Sequence, residues 1–384
     1  MIENAGKITA DGGVIVDNGR IVDIGTFDQV HKEAGSLPVR DYDGIICPGL
    51  INAHTHLELS NFKRLRHEDF VDWVMKLVDA RSTVVPEETI KECGDAKKRA
   101  ESQGTSFFVN VGNSLDVNNS LGTNQLFQYE QIGINSTSAD TVFDHAAQNL
   151  ALSKVDSALA IHAPYSVSPE LMRKIKSYNN SSGHITSIHL AETPEELEFV
   201  RTGKGRMTDL LNKRVGKWSF TPAGVTPIEY VNSLGILDER TICVHCVFTD
   251  NDDINILRDR ECAVSVCIRS NRELSGQLPP VAKLVKNGVR LLIGTDSTAS
   301  SPSINMFEEV AAFFSEFGNV AEPSEILAMA TSDAARFLGI ESAYGSLKPG
   351  SRSSVVFLPF DGYESEAIEF VLSEGYKNSG MICD

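Results

Sequence analysis

Short runs of mostly apolar residues recur along the chain at 50–53, 105–111, 158–162, 185–191, 241–248, 262–268 and 289–295. Runs of this length and character fit strands of a parallel sheet that is covered on both faces. Between them lie stretches with helical spacing at 69–81, 86–103, 169–178, 194–201, 251–260, 280–287 and 305–316. Strand and helix alternating this often predict a parallel sheet with helical crossovers. A weaker run at 126–132 brings the strands to eight, which predicts an α/β fold of the (β/α)8 TIM-type barrel class. The rest of the stretch 113–149 carries no firm pattern.

The two ends of the chain have a different rhythm. GGVIVDNGRIVDIGTF (12–27) alternates apolar and polar positions around a hairpin-type turn at Asp17, Asn18 and Gly19. YGSLKPGSRSSVVFLP (344–359) returns to that character, with a turn at Pro349 and Gly350 and a strand at 355–358. The pattern predicts a small β-sandwich built from residues 1–46 and 344–384, beside a barrel of residues 47–343.

Candidate chemistry gathers at the ends of the predicted strands. Residues i and i+2 of a strand face the same way, so His54 and His56 in INAHTHLE can turn toward a single ion while Thr55 faces away. His189 in SIHLAE, His245 in ICVHCVF and Asp296 in LLIGTDS each end a separate apolar run. The chain has only nine histidines. Ligand-type residues at four separate strand ends therefore point to one shared site, at the face of a barrel where active sites are built.

Composition narrows the class of partner. The 35 basic and 52 acidic residues leave a net charge of −17, which would repel a phosphate backbone and excludes nucleic acid as the main partner. A length of 384 residues with 41% hydrophobic content suits a soluble barrel with a smaller accessory domain. The seven cysteines, Cys47, Cys93, Cys243, Cys246, Cys262, Cys267 and Cys383, are odd in number and mostly lie in apolar runs, which predicts reduced thiols. Cys243 and Cys246 have a CxxC spacing, yet on a strand residues three apart face opposite ways. With no apolar run of about 18 residues and no basic-then-apolar leader pattern, the expectation is a cytoplasmic protein that acts on a small molecule away from membranes. Nothing in the pattern speaks to oligomeric state.

Taken in order, PGLINAHTHLE, HAPYSVS, HLAE, VHC and GTDS resemble the motifs of the amidohydrolase superfamily, in its branch of adenosine-type and chlorohydrolase-like deaminases. The resemblance spans nearly the whole chain. It implies one divalent metal ion, zinc first and iron second, held by His54, His56, His189 and Asp296, a donor set that a borderline ion accepts. Two-metal members often use a carboxylated lysine on the fourth strand, whereas ALAIHAPYS has His162 and no lysine. The resemblance also implies roles: Glu192 as proton shuttle to a substrate ring, His245 orienting the attacking hydroxide, and Asp296 accepting a proton from the attacking water. His162, Glu58, and Arg269 or Arg272 in the loop expected after the seventh strand are expected to face substrate, the arginines against a carboxylate. The family often has proline after the cysteine of that segment, where Ile268 follows Cys267 here. The implied reaction is hydrolytic deamination of a 6-aminopurine nucleoside with release of ammonia. RSNRELSGQLPPVAKL, with HLAE and GTDS, is most similar to deaminases of aminofutalosine-type nucleosides on the menaquinone route. Methylthioadenosine or adenosylhomocysteine deaminases and chlorohydrolase-like or guanine-type amidohydrolases are the alternatives.

Overall fold

The computed structural model describes residues 1–216 and 218–382, so Cys383 lies outside the described residues. Among these, the main sheet has eight strands: β1 (Leu50–Thr55), β2 (Thr105–Gly112), β3 (Gln125–Gln131), β4 (Ser157–Ile161), β5 (Thr186–Leu190), β6 (Thr241–His245), β7 (Ala263–Val266) and β8 (Arg290–Ile293). Their order in the sheet follows the sequence from β1 to β8. Successive strands from β3 to β8 pair in parallel, with helices in the crossovers. This is the (β/α)8 barrel predicted from the pattern.

The strands form where the apolar runs lie because both faces of each are covered. All residues of β1, β2, β5 and β6 are buried. Each fully buried Val, Leu or Ile side chain contributes roughly 1.5–3 kcal/mol, which favours these runs as strands over any exposed alternative. The helices begin where a side chain can accept the first free amides. Asp69 accepts from Asp72 N ahead of Phe70–Arg81, Ser168 from Leu171 N ahead of Pro169–Ser182, and Thr193 from Glu196 N ahead of Pro194–Thr202.

By contact clustering the chain divides into two compact units: Met1–Ala53 with Lys98–Phe108 and Asn305–Asp384, and His54–Lys97 with Val109–Ile304. In the first unit, segments from both ends of the chain pair with each other. The strand Val355–Pro359 runs antiparallel to Gly44–Pro48 on one side and Gly380–Met381 on the other. Gly12–Asp17 and Arg20–Thr26 form a separate hairpin. Met1, Ile21, Leu347 and Val355 are buried together, with Val14, Ile24, Ile46 and Ile382 packed against them.

Three departures from the sequence reading bear on the site, which lies in the second unit. Residues 268–274, expected as a loop, form a helix, Ile268–Leu274. The stretch without a firm pattern holds a short helix, Leu115–Asn119, then β3, then the helix Ala139–Leu150. Strands β5, β6, β7 and β8 also stop one to three residues sooner than their apolar runs do. At three of these ends the backbone turns into the left-handed region at residues that carry a Cβ: Ala191 (φ 50°), His245 (φ 75°) and Cys246 (φ 50°), and Asp296 (φ 57°). Such turns break the ladder and aim side chains, and hydropathy does not record them. Among the described residues no helix is long and apolar enough to cross a membrane. The six described cysteines are buried and none is in a disulfide.

Candidate active site

The first and last strands of the barrel meet through the backbone of candidate ligands. The carbonyl of His54 accepts the amides of Thr295 at 3.0 Å and Asp296 at 3.1 Å. Thr55, facing away from its histidine neighbours, donates its hydroxyl to the Asp296 carbonyl at 2.9 Å. Gly294 makes the approach possible: a Cβ there would lie 2.8 Å from His54 N and 2.9 Å from His54 O. A side chain at 294 would push the two strand ends apart.

Around this junction the candidate ligand atoms converge. Ring nitrogens of His54, His56 and His189 lie within 4.8 Å of one another. The Nε2 atoms of His56 and His189 are 3.2 Å apart, and Asp296 Oδ1 is 4.0 Å from His54 Nε2 and 3.9 Å from His56 Nε2. His189 donates from Nδ1 to the carbonyl of His162 at 2.9 Å, which leaves its Nε2 as a bare acceptor turned toward His56. Burial is the main force on the rings. It pushes His54 and His189 down and His56 to about 3, so the imidazoles are neutral near pH 7. Burial opposes the charge of Asp296, but the positive charge that His56 and His245 carry when protonated at low pH, together with the Ser270 hydroxyl, outweighs it, so its carboxyl ionises below its usual value. Neutral imidazole nitrogens and one carboxylate oxygen turned toward a common point are the donors a divalent cation takes, so these residues fit one.

A second set of bonds holds the groups beside this cluster. Asp296 Oδ2 accepts from Ser270 Oγ at 2.6 Å and Ser300 Oγ at 2.9 Å, which leaves Oδ1 facing the histidines. Glu192 Oε1 stands 3.4 Å from His245 Nε2, and His245 Nδ1 is 2.9 Å from Asn271 Nδ2. Burial, reinforced by Asp296, Glu196 and Glu195, raises Glu192 well above the usual carboxyl range. Burial also pushes His245 down to about 3. The turn that presents Glu192 is clamped by Glu196, whose two oxygens accept the amides of Ala191 at 3.0 Å and Glu192 at 2.9 Å. Glu196 itself is raised to about 7 by burial, which outweighs those two amide bonds.

The remaining sequence candidates divide by what they touch. His162 lies at the end of β4, its Nδ1 2.6 Å from Ser166 Oγ and its ring edge-on to Tyr165 at 5.6 Å between centroids. Tyr165 in turn meets Phe70 edge-on at 6.3 Å, so an aromatic wall borders the polar cluster. Glu58 is fully engaged: Oε1 takes Arg81 Nη2 at 2.6 Å, and Oε2 takes the amides of Asn113 and Ser114, each at 2.9 Å. That carboxylate fastens the chain after β2. Arg269 donates to the hydroxyl and carbonyl of Ser303 at 3.2 and 2.9 Å, and Arg272 is exposed.

Sequence reasoning missed Glu130, Glu196, Ser270, Ser300 and Asn271. Glu130 sits on β3, the weakest strand in the pattern, with Oε1 3.6 Å from His189 Nδ1, and burial raises it to about 7. Ser270 and Asn271 fall in the segment taken for a loop. Glu196 carries a visible signal, an acid four residues beyond Glu192 on a helix start, but the favourable dipole of a helix N-terminus alone accounts for an acid there.

Compared with known proteins, residues 45–382 match the Amidohydrolase family. The chain is 27% identical over 376 residues to the 5-methylthioadenosine/S-adenosylhomocysteine deaminase of Thermodesulfovibrio yellowstonii, across 92% of this chain and 81% of that protein. It is 28% identical over 324 residues to the aminodeoxyfutalosine deaminase of Deinococcus radiodurans, across 79% of this chain and 76% of that protein. The crystal structure of Helicobacter pylori aminofutalosine deaminase in complex with methylthio-coformycin shares the fold, with a TM-score of 0.83 at 23% identity over 96% of this chain and 93% of that one.

Proposed function

The chain belongs to the amidohydrolase family, and from that premise we propose that it is a metal-dependent deaminase of 6-aminopurine nucleosides. The observation that carries this reading is a buried carboxyl, Glu192, 3.4 Å from a neutral histidine, His245, at the rim of a cluster of three histidines and an aspartate. His54, His56, His189 and Asp296 would hold one divalent cation, and zinc suits their nitrogen and oxygen donors best. When bound, such a cation acts as a Lewis acid that acidifies water at the site.

Each protein group then has a task set by its protonation state. Attack by water on the amino-bearing carbon forms a C–O bond, and the C–N bond breaks as ammonia leaves. Glu192, whose proton burial holds well above the usual carboxyl range, gives that proton to the ring nitrogen beside that carbon. Asp296, held ionised with Oδ1 toward the histidines, takes one proton from the attacking water and returns it to the departing amino group, which leaves as ammonia, while the proton left on the added oxygen restores Glu192 as the 6-oxo product forms. His245 is neutral and serves as a hydrogen-bonding group that fixes the oxygen being added. The aromatic wall of Tyr165 and Phe70 supplies a face for a planar base.

Both relatives support an aminopurine nucleoside as substrate, and the aminofutalosine type is our first choice. The test is a panel of aminofutalosine, methylthioadenosine, adenosylhomocysteine and adenosine, followed by the ultraviolet change from an adenine to a hypoxanthine chromophore and by ammonia release. The expected result is the highest kcat/KM for aminofutalosine, with a steep ranking because polar sites reject analogues that leave their groups unpaired. Brisk turnover of a chlorinated triazine or guanine, with feeble action on all four nucleosides, would overturn it.

A further inference from the structure

We propose that Asn271 is a positioning residue that fixes the tautomer of His245, holding its proton on Nε2, where it can be donated to oxygen. The inference rests on the deaminase reading above and deepens it by one residue.

A neutral imidazole carries one proton, and which nitrogen has it is set by the partner of the other. Asn271 presents its Nδ2 amide, a donor, to His245 Nδ1 at 2.9 Å. Nδ1 must then be the acceptor and Nε2 the N–H. Nε2 is the atom that faces Glu192 Oε1, at 3.4 Å. The alternative tautomer would aim a lone pair at the attacking oxygen, which carries negative charge once Asp296 has taken its proton, a repulsive contact where an attractive one is needed.

The surroundings make Asn271 a firm reference. It is fully buried, and its amide follows Cys267 in the Ile268–Leu274 helix through a bond to the Cys267 carbonyl at 2.8 Å. The neighbouring Ser270 reaches Asp296 Oδ2 at 2.6 Å. Two consecutive residues of one short helix thus orient two different groups of the site, one on the end of β6 and one beyond β8.

The test uses zinc-loaded protein labelled with 15N-histidine, the His245 signals being assigned by their loss in a His245→Gln sample. The expected spectrum has a protonated, pyrrole-type Nε2 and a bare, pyridine-type Nδ1. Asn271→Asp keeps the shape and removes the donor, so its carboxylate should draw a proton onto Nδ1. That variant should retain zinc and a KM within about threefold while kcat falls about 10- to 100-fold. A role in packing alone would leave the isosteric aspartate variant near wild type. Protonation of Nδ1 with a bare Nε2 in the wild type would overturn the proposal, as would a kcat within twofold in Asn271→Asp. If that variant does not fold, the wild-type spectrum decides alone. If the wild type deaminates no aminopurine nucleoside, the functional reading falls and the spectrum still judges the tautomer.

Discussion

The amide of Asp296 donates to the carbonyl of His54 at 3.1 Å, so two candidate ligands at opposite ends of the strand order are joined through their backbones. Gly294 permits that contact, since a Cβ there would come within 2.9 Å of three His54 atoms. Gly294→Ala should therefore destabilise the fold by about 1–3 kcal/mol and also weaken metal binding, because the same displacement moves both ligands. Urea unfolding and metal content measured on one preparation would show the two losses together. A variant with normal metal content would separate barrel closure from ligand geometry.

One divalent ion per chain is the expected content of protein purified without added metal. Chelation should lower Tm, and restoring the ion at about 100 times its Kd should return roughly 2.7 kcal/mol of stability. Elemental analysis finding two equivalents would contradict the single site.

Glu192→Gln should retain the metal, since Glu192 is outside the set of His54, His56, His189 and Asp296. It should lose about 10²- to 10⁴-fold in kcat because the proton for the substrate ring is gone. His189→Ala should lose both metal and turnover. Near-normal turnover by Glu192→Gln would remove the proton-shuttle role.

Ser270→Ala removes one of the two hydroxyl bonds that turn Asp296 Oδ1 toward the histidines. Metal affinity should fall about 10- to 100-fold while the fold is kept. Titration with zinc against a competing chelator measures this directly, and an unchanged Kd would show that Ser300 suffices.

Glu196 makes stability depend on pH with a sign opposite to that of an ordinary paired carboxylate. Burial raises it from 4.5 to about 7 in the folded chain. Its contribution is therefore fully present below the unfolded value and is lost as pH rises from about 4.5 through about 7, at no more than about 1.4 kcal/mol per pH unit. The buried histidines have the opposite slope, so the comparison must be with Glu196→Gln. That variant should lack the Glu196 component of the slope. It should also be less stable at low pH by about 1–3 kcal/mol, because an amide side chain offers only one oxygen to the two backbone donors. Parallel stability curves for the two proteins would show that Glu196 does not titrate in this range.

The sequence discloses the barrel because most strands are covered on both faces, which leaves an apolar run, and most helices open on a capping residue or proline. It discloses the histidine cluster because His54 and His56 alternate on one strand, and His189 and Asp296 end their own runs. What hydropathy cannot show is how those ends are oriented. Glu196 acts through two hydrogen bonds to the turn just before its helix, and Ser270 through one to Asp296 on another element, and no period records such bonds. Asn271 lies in a segment whose arginines and polar residues read as a loop, although Ile268–Leu274 forms a helix. For Glu58 the sequence suggested a substrate contact, but its carboxylate is committed to Arg81 and two backbone amides.

On the roles proposed above for His245 and Asp296, the left-handed residues at 191, 245, 246 and 296 set this enzyme's stability and its turnover against each other. Each such conformation at a residue with a Cβ costs on the order of 1 kcal/mol. A screen that rewards heat resistance alone would be drawn to glycine at these positions, and at 245 and 296 that change deletes a working side chain. Ala191 and Cys246 are the exceptions, since glycine at either relaxes its turn without removing any reacting group. Directed evolution of this chain under thermal selection alone would therefore tend to enrich sturdy, silent barrels, and an activity gate in every round is needed to keep His245 and Asp296.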